Sequence, residues 1–246
     1  MPPDREHWRR IAREWSLWAR TPGHDAFWAY RGALAAFIGR GEGDALDLGC
    51  GEGRVSRELT ALGWRVTATD IVAELVEAAA EAGSARAYAV ADAAALPFPD
   101  GRFRLVTAYN LLMNVTDVPA CVAEMGRVLA PDGTLVLSIV HPFFDRGTFS
   151  APDPDAPLVI EGSYFGRQRF EAVEERAGLR MHFAGWSQPL EAYAAALEAA
   201  GLAITALREP RPDTERQDLQ RAMRLPMFLW LKARRLPPGA PSVRGP

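Results

Sequence analysis

The chain has 246 residues, of which 48% are hydrophobic and 24% charged, which is the composition of an ordinary globular protein with one substantial domain. Its formal net charge of −3 argues against a nucleic-acid partner, because such a partner favours a basic face. The two cysteines lack paired spacing, so we expect no disulfides. No apolar run can span a bilayer, and the charged first 20 residues are unlike a secretory signal, so we expect a cytoplasmic protein without membrane contacts.

Two aromatic-rich helices are predicted at the start of the chain. The first, over residues 5–20, places its large apolar side chains near one face: Trp8, Ile11, Trp15 and Trp18. The second, over residues 24–39, includes Trp28 and Tyr30. We interpret residues 1–40 as an N-terminal helical cap.

A glycine-rich turn follows the first predicted strand. Residues 45–48 are apolar and run into a turn with glycine at 49, 51 and 53, after which apolar residues recur at helical spacing. Glycine lets the backbone approach a ligand without interference from a Cβ atom. A helix that begins at the carboxyl end of a strand is a ready binding site for a ligand.

A second strand, 65–70, ends in Asp70, 21 positions after Gly49. In doubly wound folds an acid at this place holds the ribose hydroxyls of a nucleoside. The fingerprint of dinucleotide sites would have glycine or alanine at position 54, where this chain has Arg54. The site is therefore predicted to hold a nucleoside but not a nicotinamide dinucleotide.

The pattern Asp47-x-Gly49-x-Gly51-x-Gly53 resembles that of the class I S-adenosylmethionine-dependent methyltransferases, and the resemblance covers most of residues 40–235. It implies that Gly49 and Gly51, with Asp47 beside them, cradle the methionine part of S-adenosylmethionine. It also implies that Asp70, followed by Ile71, binds the ribose.

Two further segments fit this resemblance. Asp92 and Ala93 follow the third predicted strand, where the family binds the adenine amino group, although Asp92 alone also reads as an ordinary surface acid. Tyr109 and Asn110 end the fourth strand and should face cofactor and substrate.

Strands and helices alternate through the main domain, which predicts a doubly wound α/β fold with a mostly parallel sheet. Helices are expected near 53–62, 72–82, 118–129, 190–200 and 215–223. The last two of seven strands lack a full crossover helix, so an antiparallel last strand is expected, as in the methyltransferase sheet. The strands fall near 45–49, 65–70, 86–91, 103–109, 134–141, 202–207 and 227–231.

Residues 142–187 form a long aromatic excursion after the fifth strand. We interpret them as a substrate cap inserted into a domain spanning 41–235, with a hairpin strand after Gly178; a structural addition that thickens the core is the alternative. The predicted acceptor pocket lies between this cap and the N-terminal helices, and its candidate lining residues are Trp28, Tyr30, Tyr164 and Trp186. Residues 236–246 are expected to be a flexible tail.

His141 lies at the carboxyl end of the fifth strand. It is the candidate general base, with a capping or core role as the alternative and Tyr30, Tyr109 and Tyr164 next in line. No group of His, Cys, Asp and Glu has the spacing of metal ligands, so no metal is expected.

The resemblance implies methyl transfer from S-adenosylmethionine to a small, partly apolar or aromatic metabolite, with an oxygen, nitrogen or carbon acceptor. A protein that binds the cofactor but catalyses another reaction, such as cyclisation, is the alternative. A third possibility, a non-catalytic partner subunit, fits poorly with the intact set of glycines and acids. A monomer or a homodimer is expected.

Overall fold

The computed structural model of the chain describes residues 3–176, 178–213 and 216–236. The tail expected from 236 onward therefore lies, beyond Leu236, outside the described residues. Helices in chain order are α1 (Pro3–Arg10), α2 (Ala12–Arg20), α3 (Phe27–Ile38), α4 (Arg54–Ala61), α5 (Ala73–Glu81), α6 (Val118–Val128), α7 (Pro142–Arg146), α8 (Leu190–Ala199) and α9 (Gln220–Arg224). Strands are β1 (Asp44–Leu48), β2 (Arg65–Asp70), β3 (Ala87–Val90), β4 (Phe103–Tyr109), β5 (Leu129–Val140), β6 (Gly147–Phe149), β7 (Leu158–Ile160), β8 (Gln168–Arg176), β9 (Leu179–Ser187), β10 (Leu202–Arg208) and β11 (Phe228–Arg235).

The main sheet, within the described part of the chain, has seven strands in the order β10-β11-β5-β4-β1-β2-β3. Strands β1 to β5 are parallel, and β11 runs antiparallel between β5 and β10. The predicted doubly wound fold with an antiparallel last strand is confirmed. Since β1 pairs with both β2 and β4, the carboxyl ends of these three strands meet at one edge.

Helices bury apolar side chains on both faces of the sheet. On one face, α6 and α8 pack residues such as Val122, Met125 and Leu197 against the strands. On the other, α3 packs Leu34 and α4 packs Leu59. Helix α3 therefore belongs to the core of the sheet, whereas α1 and α2 lie against α5 and β9.

Two predicted elements differ from those observed. The single helix expected over 5–20 is divided at Ile11, where φ is −105° and ψ is 11°. The fifth strand begins at Leu129 instead of 134, and it contains a bulge: Phe103 pairs with Leu129, while Leu105 pairs with Thr134. The intervening residues are looped out because Asp132 and Gly133 favour a turn.

The inserted segment forms α7, the short hairpin β6–β7 and the long hairpin β8–β9. The strand expected after Gly178 is confirmed as β9, which packs on α1, α2 and α7. Strand β8 is mostly exposed, so it has little of the apolar alternation by which a strand is recognised in a sequence. Among the described residues no helix is long and apolar enough to cross a membrane.

Candidate active site

A cavity of about 900 Å³ lies at the carboxyl edge of the parallel strands. Its floor is formed by the residues that follow β1, β2, β3 and β4, and its walls by the N-terminal helices, the inserted segment and residues near α9. This is the edge at which open α/β sheets bind ligands. All the candidate cofactor residues from the sequence line this cavity: Asp47, Gly49, Gly51, Asp70, Ile71, Asp92, Ala93, Tyr109 and Asn110.

The glycine turn is shaped for close approach. Gly49 and Gly51 have φ of 69° and 55°, which side chains rarely adopt. A Cβ atom at Gly49 would lie 2.7 Å from Leu111, and one at Gly51 would lie 2.9 Å from the indole nitrogen of Trp15. The turn therefore requires glycine at both positions.

Asp70 is held by backbone donors. The Gly51 N–H donates to Oδ2 and the Val72 N–H to Oδ1, both at 3.0 Å. Burial raises the pKa of this carboxyl, and the backbone N–H donors oppose the rise. Each carboxylate oxygen can accept a further hydrogen bond, so the pair of oxygens fits two adjacent ribose hydroxyls.

Asp47 is fully buried behind the turn. It accepts hydrogen bonds from Ser56 Oγ at 2.6 Å and Thr107 Oγ1 at 2.9 Å. Burial raises the pKa of Asp47 to about 6, and the nearby charge of Asp70 adds to the rise. Two buried acids beside each other create a negative potential, which a cationic ligand relieves.

Asp92 and Ala93 form the rim of the cavity beyond β3. The Asp92 side chain is exposed and its Oδ1 accepts from the Ala94 N–H at 2.9 Å, whereas Ala93 is buried. The exposed carboxylate keeps free lone pairs for a donor such as an exocyclic amine.

The end of β4 carries an unusual backbone conformation. Asn110 has a φ of 52°, and its Oδ1 accepts from Ser138 Oγ at 2.9 Å. Tyr109 packs edge-on to Phe27 at 5.6 Å, and among the described residues its buried hydroxyl has no hydrogen-bond partner. A buried polar atom without a partner is unusual in a folded protein, and this one belongs to a residue of the cavity lining.

A buried ion pair joins the N-terminal segment to the glycine turn. Arg54 forms an ion pair with Asp25, and its guanidinium lies 4.8 Å from the Trp15 ring centre and 4.5 Å from that of Phe27. Burial disfavours the charged guanidinium, but Asp25 together with weaker contributions from its other neighbours outweighs the burial, so the pKa of Arg54 is raised. The sequence shows Arg54 after the third glycine but gives no sign of its distant partner.

Asp145, like Asp25, is a residue that the sequence pattern does not single out. It lies on α7, lines the cavity and is half-buried. Burial raises the pKa of its carboxyl to about 7, against the effect of neighbouring Arg146. Asp145 lies four residues after His141, the predicted general base, and is therefore close to it in the chain.

His141, predicted as a general base, is not among the residues that line the cavity. The ring is buried; Nδ1 accepts from the Phe143 N–H at 3.2 Å, which leaves Nε2 to donate to Glu209 at 3.1 Å. Burial lowers the pKa of His141, and Glu209 opposes this. With both ring nitrogens engaged, His141 caps α7, as in the alternative role considered for it.

The N-terminal aromatics expected in the acceptor pocket lie elsewhere. Tyr30 is buried in the core, with its ring 5.0 Å from that of Phe228, and Trp28 packs beside Arg31. Helix α3 places the Tyr30 side chain in the core against the sheet and the Trp28 side chain beside Arg31 of the same helix. Neither lines the cavity.

The two aromatics of the insertion also lie outside the cavity. The Tyr164 hydroxyl accepts from the Leu190 N–H at 3.0 Å, and Trp186 lies under the Arg167 guanidinium at 4.2 Å. In their place Phe144, Phe170 and Phe183 reach the cavity. The hairpin register decides which aromatic faces inward, and a sequence does not reveal that register.

Within the described residues no group of three or more His, Cys, Asp or Glu side chains is arranged to hold a metal ion. Cys50 and Cys121 are both free and buried.

Comparisons with known proteins agree with this geometry. The family model described as "Methyltransferase domain" matches residues 46–137. The malonyl-[acyl-carrier protein] O-methyltransferase of Serratia marcescens is 33% identical over 93 residues, which are 38% of this chain and only 36% of that enzyme's length. The demethylmenaquinone methyltransferase of Mycobacterium sp. (strain KMS) is 32% identical over 186 residues, covering 68% of this chain and 76% of that protein.

A solved structure gives the same picture. An S-adenosylmethionine-dependent methyltransferase from Mesorhizobium loti superposes with a TM-score of 0.69 at 26% identity, covering 87% of this chain and all of that one.

Proposed function

Because the chain belongs to the class I S-adenosylmethionine-dependent methyltransferases, we propose that it transfers the methyl group of S-adenosylmethionine to a small acceptor bound in the cavity. The observation that carries the proposal is the hydrogen bond that the Gly51 N–H donates to the Asp70 carboxylate at the cavity floor. It joins the two sequence elements that recognise a nucleoside in this fold and leaves the carboxylate open to the cavity.

In this proposal the cofactor supplies an activated methyl group on a sulfonium. Asp70 would bind the ribose hydroxyls, and the turn from Gly49 to Gly51 would lie against the methionine part. Asp92 and the backbone of Ala93 would recognise the adenine. The negative potential of Asp47 and Asp70 favours a positively charged cofactor over a neutral one.

The remaining task of the chain is to align the acceptor and exclude water. The cavity walls include several apolar and aromatic side chains: Phe144, Phe170, Phe183, Met227 and Phe228. These walls support an acceptor that is partly apolar or aromatic. The similar proteins are named for different acceptors, so they do not select one for this chain.

Calorimetry with S-adenosylmethionine and S-adenosylhomocysteine tests the binding half of the proposal. Incubation with methyl-labelled S-adenosylmethionine and a panel of phenols, amines and carboxylic acids tests transfer, scored by label in the acceptor and by release of S-adenosylhomocysteine. Binding with no label transfer to any acceptor would favour a different reaction on the same cofactor site. Absence of binding would refute the proposal.

A further inference from the structure

Helix α7 carries one carboxyl group into the cavity. Phe144 and Asp145 both line it, directly after the end of β5. The helix is fixed in place because the His141 ring caps it and the Asp145 N–H donates to the His141 carbonyl at 3.1 Å. The position of the Asp145 carboxyl is therefore set by the fold.

This carboxyl has no hydrogen-bond or ion-pair partner in the part of the chain that the structure describes. Its neighbour Arg146 is directed elsewhere, because the guanidinium donates to Ser187 Oγ at 2.9 Å and to the carbonyls of Ser187 and Gly166. The other ionisable group close to it is the phenol of Tyr193, which is buried on α8. Arg146 acts on the Asp145 carboxyl only through its nearby charge, and neither group forms a hydrogen bond or ion pair with it.

Three of the four arginines that line the cavity, all except Arg5 on α1, are engaged with other groups. Arg54 pairs with Asp25, and Arg176 lies 2.7 Å from an oxygen of Asp218. Arg221 stacks on an aromatic ring at 4.2 Å and donates to a backbone carbonyl. The cavity thus presents the unpartnered Asp145 carboxyl next to the aromatic side chain of Phe144, with three of its four arginines committed elsewhere.

We propose that Asp145 binds a basic nitrogen of the acceptor, so that the substrate is an amine with an apolar or aromatic body. The proposal rests on the proposed function, of which it specifies the acceptor class. A half-buried carboxylate without a partner is costly, and a cationic ammonium group removes that cost by pairing with it. The apolar walls would hold the body of the amine.

The same group supplies the proton transfer that an amine requires. An ammonium group gives one proton to the Asp145 carboxylate, which leaves a neutral amine with a free electron pair and a protonated Asp145. The nitrogen then bonds to the methyl carbon as the carbon–sulfur bond breaks, with that electron pair left on sulfur; Asp145 afterwards releases its proton to solvent. Burial raises the pKa of Asp145 to about 7, which suits a group that exchanges a proton near neutral pH.

Binding of matched probes tests this inference. The full chain is saturated with S-adenosylhomocysteine and titrated by calorimetry with amines and with the alcohols of the same shape: phenethylamine against 2-phenylethanol, tyramine against tyrosol, and octylamine against octanol. We expect the amine of at least one pair to bind about tenfold more tightly than its alcohol. Asp145→Asn should abolish that preference, and Asp145→Glu should retain part of it.

Asp155→Asn is the matched control, because it removes the same charge from an exposed position of the same inserted segment. The preference should survive in this variant. If no pair shows a preference for the amine, or if the preference persists in Asp145→Asn, the inference is wrong.

Cofactor binding is measured separately in every variant. Loss of S-adenosylhomocysteine binding in Asp145→Asn, with circular dichroism unchanged, would place Asp145 in the cofactor half and overturn the inference. Titrations without S-adenosylhomocysteine keep the amine preference measurable even if the wild-type chain fails to bind the cofactor, a result that would contradict the proposed function alone.

Discussion

Replacing Asp47 with asparagine should make the protein more stable than wild type at neutral pH, and more so than at acidic pH. Asp47 is 1% exposed, and burial raises its pKa from 3.8 to about 6. In the unfolded chain the carboxyl ionises at its ordinary pKa, so folding must keep a proton on it or bury the charge. Wild-type stability from this group is therefore present at low pH and is lost as the pH rises through about 6.

The size of the effect follows from the two pKa values. A difference of about 2 units corresponds to about 3 kcal/mol once the pH is above both values. At pH 4.5 the loss is only about 1 kcal/mol, because this pH is less than about one unit above the ordinary pKa at which the unfolded carboxyl ionises. Asparagine has nearly the same shape, and the hydroxyls of Ser56 and Thr107 can rotate to donate to its oxygen or accept from its amide nitrogen.

Urea denaturation of both proteins at pH 4.5, 5.5, 6.5 and 7.5 measures this difference. The free energy of unfolding of Asp47→Asn minus that of wild type should increase by about 2 kcal/mol over this range. Asp44→Asn, on the same strand, removes an exposed acid that pairs with Arg65 and should change stability by less than about 1 kcal/mol. A difference that is independent of pH, or that decreases as the pH rises, would refute the reasoning.

Three further predictions concern the site. Asp70→Ala should weaken S-adenosylhomocysteine binding by about 2–3 kcal/mol, because two charge-assisted hydrogen bonds to the ribose are lost; unchanged affinity in calorimetry would contradict the cofactor assignment. His141→Ala should lower the free energy of unfolding by about 1–2 kcal/mol through loss of the α7 cap, with cofactor affinity near wild type. A large loss of turnover in a fully stable variant would instead support His141 as the general base. Arg54→Met should destabilise the fold by about 3–5 kcal/mol, because Asp25 loses its ion-pair partner. A double mutant with Asp25→Asn should recover part of that loss in urea denaturation. Additive losses would show that the two residues are not coupled.

The sequence was informative where a local rule fixes the structure. Gly49 and Gly51 mark the turn after β1, because glycine adopts a positive φ without a steric penalty. Asp70 lies at the end of β2 as the sequence predicts, because its spacing from the turn is set by one helix and one strand of the α/β alternation. The order and direction of the seven strands followed for the same reason, since short connections and right-handed crossovers leave few arrangements.

Only the tertiary structure decided which side chains form the rest of the cavity. Arg54 meets Asp25 across 29 positions of the chain, and no periodicity links the two. His141 and Asp145 are close in sequence, but the cap on α7 turns the histidine into the fold and leaves the acid on the cavity wall. The register of the β8–β9 hairpin likewise brings Phe183 inward and sends Trp186 away. These placements depend on contacts between distant segments, whose geometry a one-dimensional pattern does not contain.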